Sequence, residues 1–212
     1  MLASIACHDP VIFLEPKVLY RAAVEQVPTE AYEIPLSQAE IVKEGKDVTV
    51  VSYGQPMYLC SSAIAAAEKD LDISVELLDL RTLYPWDRKA VLESVQRTGR
   101  AIVVHESMIN AGIGAEVAAS IQEGAFLHLE APVQRLGGFS THMGLTYERF
   151  ILPDVTRKSL FSCQTSRLTQ SRDIRRDQTD RRILRSVFQQ SSGKRSGGDL
   201  CFWKRNLVKL CL

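Results

Sequence analysis

A chain of 212 residues with 45% hydrophobic residues can build one ordinary α/β domain plus an appendage, which excludes disorder throughout. The formal net charge of +1 conceals an asymmetry: residues 1–156 carry twelve Lys and Arg against twenty-one Asp and Glu, whereas residues 157–212 carry fourteen against four. No run reaches the roughly 18 uninterrupted apolar residues of a membrane span, so a soluble protein without a membrane partner is expected.

The amino terminus, Met1-Leu2-Ala3-Ser4-Ile5-Ala6-Cys7-His8-Asp9, has neither a long apolar core nor an Arg/Ser-rich amphipathic pattern, so a targeting segment is not expected within the chain. Residues 11–14 are a short apolar run that reads as a buried strand. Pro28 and Pro35 forbid a continuous helix, and residues 28–44 read as an extended connector. The β-branched run from Asp47 to Tyr53, ended by Gly54, predicts a strand. Pro56 then opens a helix, with Leu59, Ala63, Ala66 and Ala67 as its apolar positions and Lys69 near its end.

Ser74–Leu80 predicts the next strand. Asp87 stands one turn ahead of Val91 and Leu92, where a carboxylate caps the first amides of a helix, and Gly99 closes that helix. Ala101–Val104 is a further strand, residues 114–123 a helix stopping at Gly124, and Pro132–Leu136 a last strand. Strands alternating with helices require crossover connections, which gives a three-layer α/β domain with a mostly parallel sheet covered on both faces.

After Arg157 the apolar periodicity collapses into Arg172–Arg182 and then Ser191–Gly198, a composition that predicts a disordered basic tail. Such charge suits phosphate neutralisation, but Phe188, Phe202 and Trp203 are scattered rather than interleaved, so a solvated extension without a nucleic-acid partner is expected. Three segments result, at 1–46, 47–156 and 157–212.

Few residues point to chemistry by themselves. Cys7, Cys60, Cys163, Cys201 and Cys211 are odd in number and far apart, which suits free thiols in a reduced compartment. Gly112-x-Gly114 precedes a helix as a phosphate-binding turn would, but the third glycine is replaced by Val117, and Glu116 puts negative charge where a pyrophosphate would sit. Tight turning and close packing are the better reading. His105-Glu106 is expected just after a strand; a subunit contact or a satisfied hydrogen bond competes there with acid–base work, and His8, His128 and His142 are isolated.

Several runs occur together in a recognisable order: Leu14-Glu15-Pro16-Lys17-Val18-Leu19-Tyr20-Arg21, Ile34-Pro35-Leu36, Asp79-Leu80-Arg81-Thr82-Leu83-Tyr84-Pro85-Trp86-Asp87, His105-Glu106, Gly112-Ile113-Gly114-Ala115-Glu116 and Leu129-Glu130-Ala131-Pro132. In these the chain resembles the β subunit of the branched-chain 2-oxoacid dehydrogenase decarboxylase component, over its carboxy-terminal, transketolase-like domain. The Glu-Pro-Lys-x-Leu-Tyr-Arg run resembles the branched-chain type more than the pyruvate type.

The resemblance implies that residues 1–46 hold the end of a preceding domain and a connector, 47–156 the transketolase carboxy-terminal-like domain, and 157–212 a tail unlike the family. It also implies a truncated product. The whole enzyme would oxidatively decarboxylate branched-chain 2-oxoacids such as 3-methyl-2-oxobutanoate with thiamine diphosphate and magnesium. It would act with an α subunit, a second β subunit and a lipoyl acyltransferase core, in the mitochondrial matrix or a bacterial cytoplasm.

The thiamine-binding half would be missing, so no catalytic or cofactor-binding residue is assigned and the isolated chain is expected to be inactive. Ser4, Cys7 and Asp9 fall where such enzymes hold a potassium ion, largely through backbone oxygens, and oxygen ligands suit a hard cation. Glu130 is either a polar residue at a strand entrance or, by the resemblance, part of the surface that docks the acyltransferase core. The competing reading is a non-enzymatic α/β interaction module with a basic tail.

Overall fold

Every residue of Val48–Ser52 is buried, as befits a strand covered on both faces at the centre of a parallel sheet. The computed structural model describes residues 1–152, except 23, 25 and 143 and the side chains of 148 and 149; the tail expected to be disordered lies outside the described residues. Five strands form one sheet: β1 (Glu40–Lys43), β2 (Val48–Ser52), β3 (Val75–Asp79), β4 (Ala101–Met108) and β5 (Gln134–Gly138), in the spatial order β1-β3-β2-β4-β5. β2 runs parallel to both β3 and β4, and β4 parallel to β5; only β1 is antiparallel, pairing Glu40 with Asp79 and Ile41 with Leu78.

The helices are α1 (Leu2–Ala6), α2 (Leu19–Ala22), α3 (Pro56–Leu71), α4 (Arg88–Thr98), α5 (Ile113–Ala125) and α6 (Glu148–Ile151), with short 3-10 turns at Phe126–His128 and Leu145–Tyr147. Strand alternation sorts the core between layers. Val51, Leu78 and Val103 share one cluster with Val91 and Val95 of α4 and Val117 and Ile121 of α5. Val50, Leu77 and Ile102, also buried, turn to the opposite face, where α3 crosses β2, β3 and β4. The three-layer, mostly parallel architecture is therefore as expected from sequence.

A polar seam lies inside the α4 layer. Thr49 Oγ1 is 2.7 Å from both Ser94 Oγ and Thr98 Oγ1, and the carboxylate of Glu76, only 1% exposed, accepts from Ser94 and from Arg97 Nη2 at 2.7 Å. Buried polar groups persist only when paired like this.

Several expectations require correction. Residues 11–14 form no strand: Ile12 and Leu14 are 87% and 76% exposed, and an apolar run cannot become a strand without a neighbour to pair with. Part of the connector does pair, because Glu40–Lys43 adds to the free edge of β3, so the sheet begins before Asp47. β4 continues past Val104 to Met108, which places His105 within the strand rather than after it. α5 runs through Gly124 to Ala125, since a side chain there would stand 2.7 Å from Leu92 Cδ1; this glycine lets α4 and α5 approach and does not end the helix. β5 lies two residues later than the run from Pro132.

Candidate functional site

Asp87 does two jobs. Its Oδ1 accepts the Ala90 amide at 3.0 Å and caps α4, as its position predicts, while Oδ2 accepts the Ala39 amide at 3.1 Å. Thr82 Oγ1 accepts the Ser37 amide at 3.0 Å, and Arg81 pairs with Glu40. The segment Arg81–Asp87 thus fastens the connector to the domain. Ahead of that fastening, no described residue before Gly45 is buried, and Phe13, Val18, Tyr20, Val27 and Ile34 all present large apolar surface.

The three residues proposed for a cation lie in and just after α1. Ser4 is half-buried within the helix, Cys7 follows its end with its amide bonded to Ala3 O at 3.0 Å, and Asp9 is exposed. Ser4 and Asp9 can offer oxygen, but the soft sulfur of Cys7 does not suit a hard ion, which takes about six to eight oxygen ligands. Among the described residues no group of three or more His, Cys, Asp or Glu is arranged to hold a metal.

Glu130 lies in the approach to β5. Its amide bonds Gly99 O at 2.8 Å, and its Oε2 is 3.0 Å from Nη2 of Arg100, whose side chain is only 5% exposed while that of Glu130 is 37% exposed. Gly99, at φ 71°, closes α4 immediately beneath: a Cβ there would stand 2.9 Å from Glu130 Cγ. The carboxylate therefore reaches the surface from a structurally fixed base. Sequence reasoning missed its partner Arg100, and only the proximity of Gly99 and Glu130 in the fold reveals the pairing.

Gly112 turns at φ 93° and starts α5 without a side-chain cap. At Gly114 an added Cβ would meet His105 Cδ2 at 2.2 Å, so the space a phosphate would need above this turn's second glycine is already filled by imidazole. Close packing, not phosphate binding, explains the Gly-x-Gly spacing. His105 is fully buried, with Nδ1 2.9 Å from Ser107 Oγ, and burial lowers its pKa. Cys60 is a buried thiol on α3 whose pKa burial pushes up to about 11, so it behaves as the small hydrophobe expected. No helix of the described residues is long and apolar enough to cross a membrane.

The sequence matches a family of known proteins. The model of the transketolase C-terminal domain matches residues 37–157. The mitochondrial 2-oxoisovalerate dehydrogenase subunit beta of Chaetomium thermophilum is 56% identical over 196 residues, covering 90% of this chain and 42% of that protein. Its counterpart in Dictyostelium discoideum is 53% identical over 154 residues, covering 73% and 42%. The pyruvate dehydrogenase E1 component subunit beta of Acholeplasma laidlawii is 45% identical over 139 residues, covering 66% and 42%. The chain thus spans less than half the length of the curated relatives it matches. At 90% coverage the Chaetomium match extends beyond residue 157 into the basic region, which sequence analysis sets apart from the family.

Proposed function

The chain belongs to the transketolase C-terminal domain family, and from that premise we propose that it is the assembly and docking part of the β subunit of a branched-chain 2-oxoacid dehydrogenase. The observation that carries this reading is the 56% identity to a 2-oxoisovalerate dehydrogenase β subunit, against 45% for a pyruvate-type relative. The enzyme it would complete decarboxylates branched-chain 2-oxoacids with thiamine diphosphate and magnesium, the cofactor supplying the carbanion chemistry. We assign it to the mitochondrial matrix, by likeness to mitochondrial relatives, or to the cytoplasm of a bacterium.

No described residue of this chain takes a catalytic role in the proposal. The first turn of α5 does not fit a diphosphate, so cofactor binding is assigned to a companion domain. The exposed apolar side chains before Gly45, among them Ile12, Phe13 and Leu14, are offered as surface for a covering partner. An α subunit and a second β subunit are the proposed partners. Glu130 is proposed for the contact with a lipoyl acyltransferase core, where a carboxylate at the rim serves orientation and association rate. A potassium ion near Ser4, Cys7 and Asp9 would rest on Ser4 and Asp9 oxygens and backbone carbonyls, not on the thiol.

Calorimetry on the full chain with thiamine diphosphate and magnesium tests the reading. Tight binding is not expected; a micromolar Kd, equivalent to about 8 kcal/mol, overturns it. The positive arm adds an α subunit and the amino-terminal part of a β subunit, and decarboxylation of 3-methyl-2-oxobutanoate is expected only with all three present. A chain that stays monomeric with both additions and gives no activity supports the interaction-module alternative instead.

A further inference from the structure

β4 begins with five consecutive buried residues, Ala101–His105, and the last of them is an imidazole. Backbone closes on its ring from two elements. A Cβ on Gly114 of α5 would lie 2.2 Å from Cδ2, and one on Gly137 of β5 would lie 2.7 Å from Cε1. Nδ1 meets Ser107 Oγ at 2.9 Å. Nε2 is buried and has no hydrogen-bond partner among the described residues.

The charges around the ring favour its neutral form. Arg135 on β5 contributes repulsion, and the first turn of α5 presents the positive end of a helix dipole. Glu106 is the next residue of β4, where the pairing with β5 is irregular, while Glu116 of α5 is engaged by Ser120 at 3.4 Å. Burial is the largest influence lowering the pKa, a hydrogen bond to the Ser107 backbone opposes it, and Arg135 adds to it.

We propose that His105 is a proton-sensitive latch: neutral, it holds the first turn of α5 against β5, and protonated, it releases that turn with the adjoining loop Ile109–Gly112. When the turn opens, the ring meets water and regains an ordinary pKa of about 6.5. The closed state binds fewer protons than the open one, so the open fraction is constant well above that value and rises as pH falls through it. The loop that moves is exposed from Asn110 to Gly112, is tied to β5 through Ile109, whose amide bonds Gly138 O at 2.9 Å, and carries the Asn110 contact to Ser140, so acidity would reshape the surface beyond the carboxyl ends of β4 and β5.

Amide hydrogen exchange on the full chain tests this, read at Ala115–Val117 with α3 amides as internal reference. Protection of the α5 turn should fall by up to about tenfold between pH 7.5 and pH 5.5 while α3 amides that exchange through local opening stay unchanged, and His105→Gln should flatten the dependence. In parallel, the His105 ring resonance of the closed state should titrate below the ordinary imidazole value. Equal changes in α3 and α5, an unchanged slope in the variant, or a ring that titrates near 6.5 with α5 protected would each overturn the latch. If the variant fails to fold, the wild-type exchange and ring titration decide alone.

Discussion

Arg100 and Glu130 form an ion pair of unequal members, with the guanidinium almost wholly buried and the carboxylate 37% exposed, 3.0 Å apart between Nη2 and Oε2. The cation is held by the fold and the anion faces outward. Removing one member of a buried pair costs about 3–5 kcal/mol, and exposure of the Glu130 side chain reduces that toward the surface-pair range. Glu130→Ala should therefore lower unfolding free energy by about 1–2 kcal/mol in urea at neutral pH. Glu130→Gln should cost less, because its amide oxygen still accepts from Arg100. This makes the glutamine variant the right probe of docking: weaker binding of an acyltransferase core with little change in stability is expected.

Asp87→Ala removes a helix cap and a tether together. Loss of the cap is worth about 0.5–2 kcal/mol, and the Ala39 amide loses its acceptor as well. Faster proteolysis within residues 28–43 than in the wild type should accompany the loss of stability, whereas a mere cap defect would leave the connector's cleavage rate unchanged.

Two glycines of α5 should respond differently to alanine. At Gly114 the new methyl meets a ring clamped from both sides, 2.2 Å from Cδ2, whereas at Gly124 it meets the movable end of Leu92 at 2.7 Å. Gly114→Ala is expected to destabilise by about 1–3 kcal/mol through overpacking, and Gly124→Ala by less, since helix propensity offsets part of the strain. Equilibrium unfolding of the two variants side by side checks the ranking.

Alkaline pH should weaken the fold through Cys60. Its thiol is protonated in the folded chain up to about pH 11, against an ordinary value of 9.0. The unfolded chain gives up that proton first, so stability is present below pH 9 and declines as pH rises toward 11, at about 1.4 kcal/mol per unit. Cys60→Ala should lose this part of the pH dependence, and the native thiol should resist alkylation at neutral pH until the chain unfolds.

Local chemistry made much of the domain legible. The β-branched run at Val48–Ser52, the capping position of Asp87 and the left-handed stop at Gly99 are decided by residues within a few positions of one another, so they could be read directly. So could the family likeness, because its motifs are contiguous. Gly112 and Gly114 were legible as a packing device, although their partner was not.

What the sequence determined by itself was therefore the alternation of strands and helices, and with it the parallel three-layer fold, because periodicity and capping act over short range. The tertiary structure alone decided which residues meet across long separations: Glu40–Lys43 joining β3, Thr49 meeting Ser94, Glu130 meeting Arg100, and Gly114 with Gly137 closing on His105. Those contacts depend on sheet order and on helices approaching at glycines, and a linear chain holds no local trace of either. An apolar run such as residues 11–14 shows the same limit from the other side, since its β propensity becomes a strand only when another strand lies within hydrogen-bonding reach.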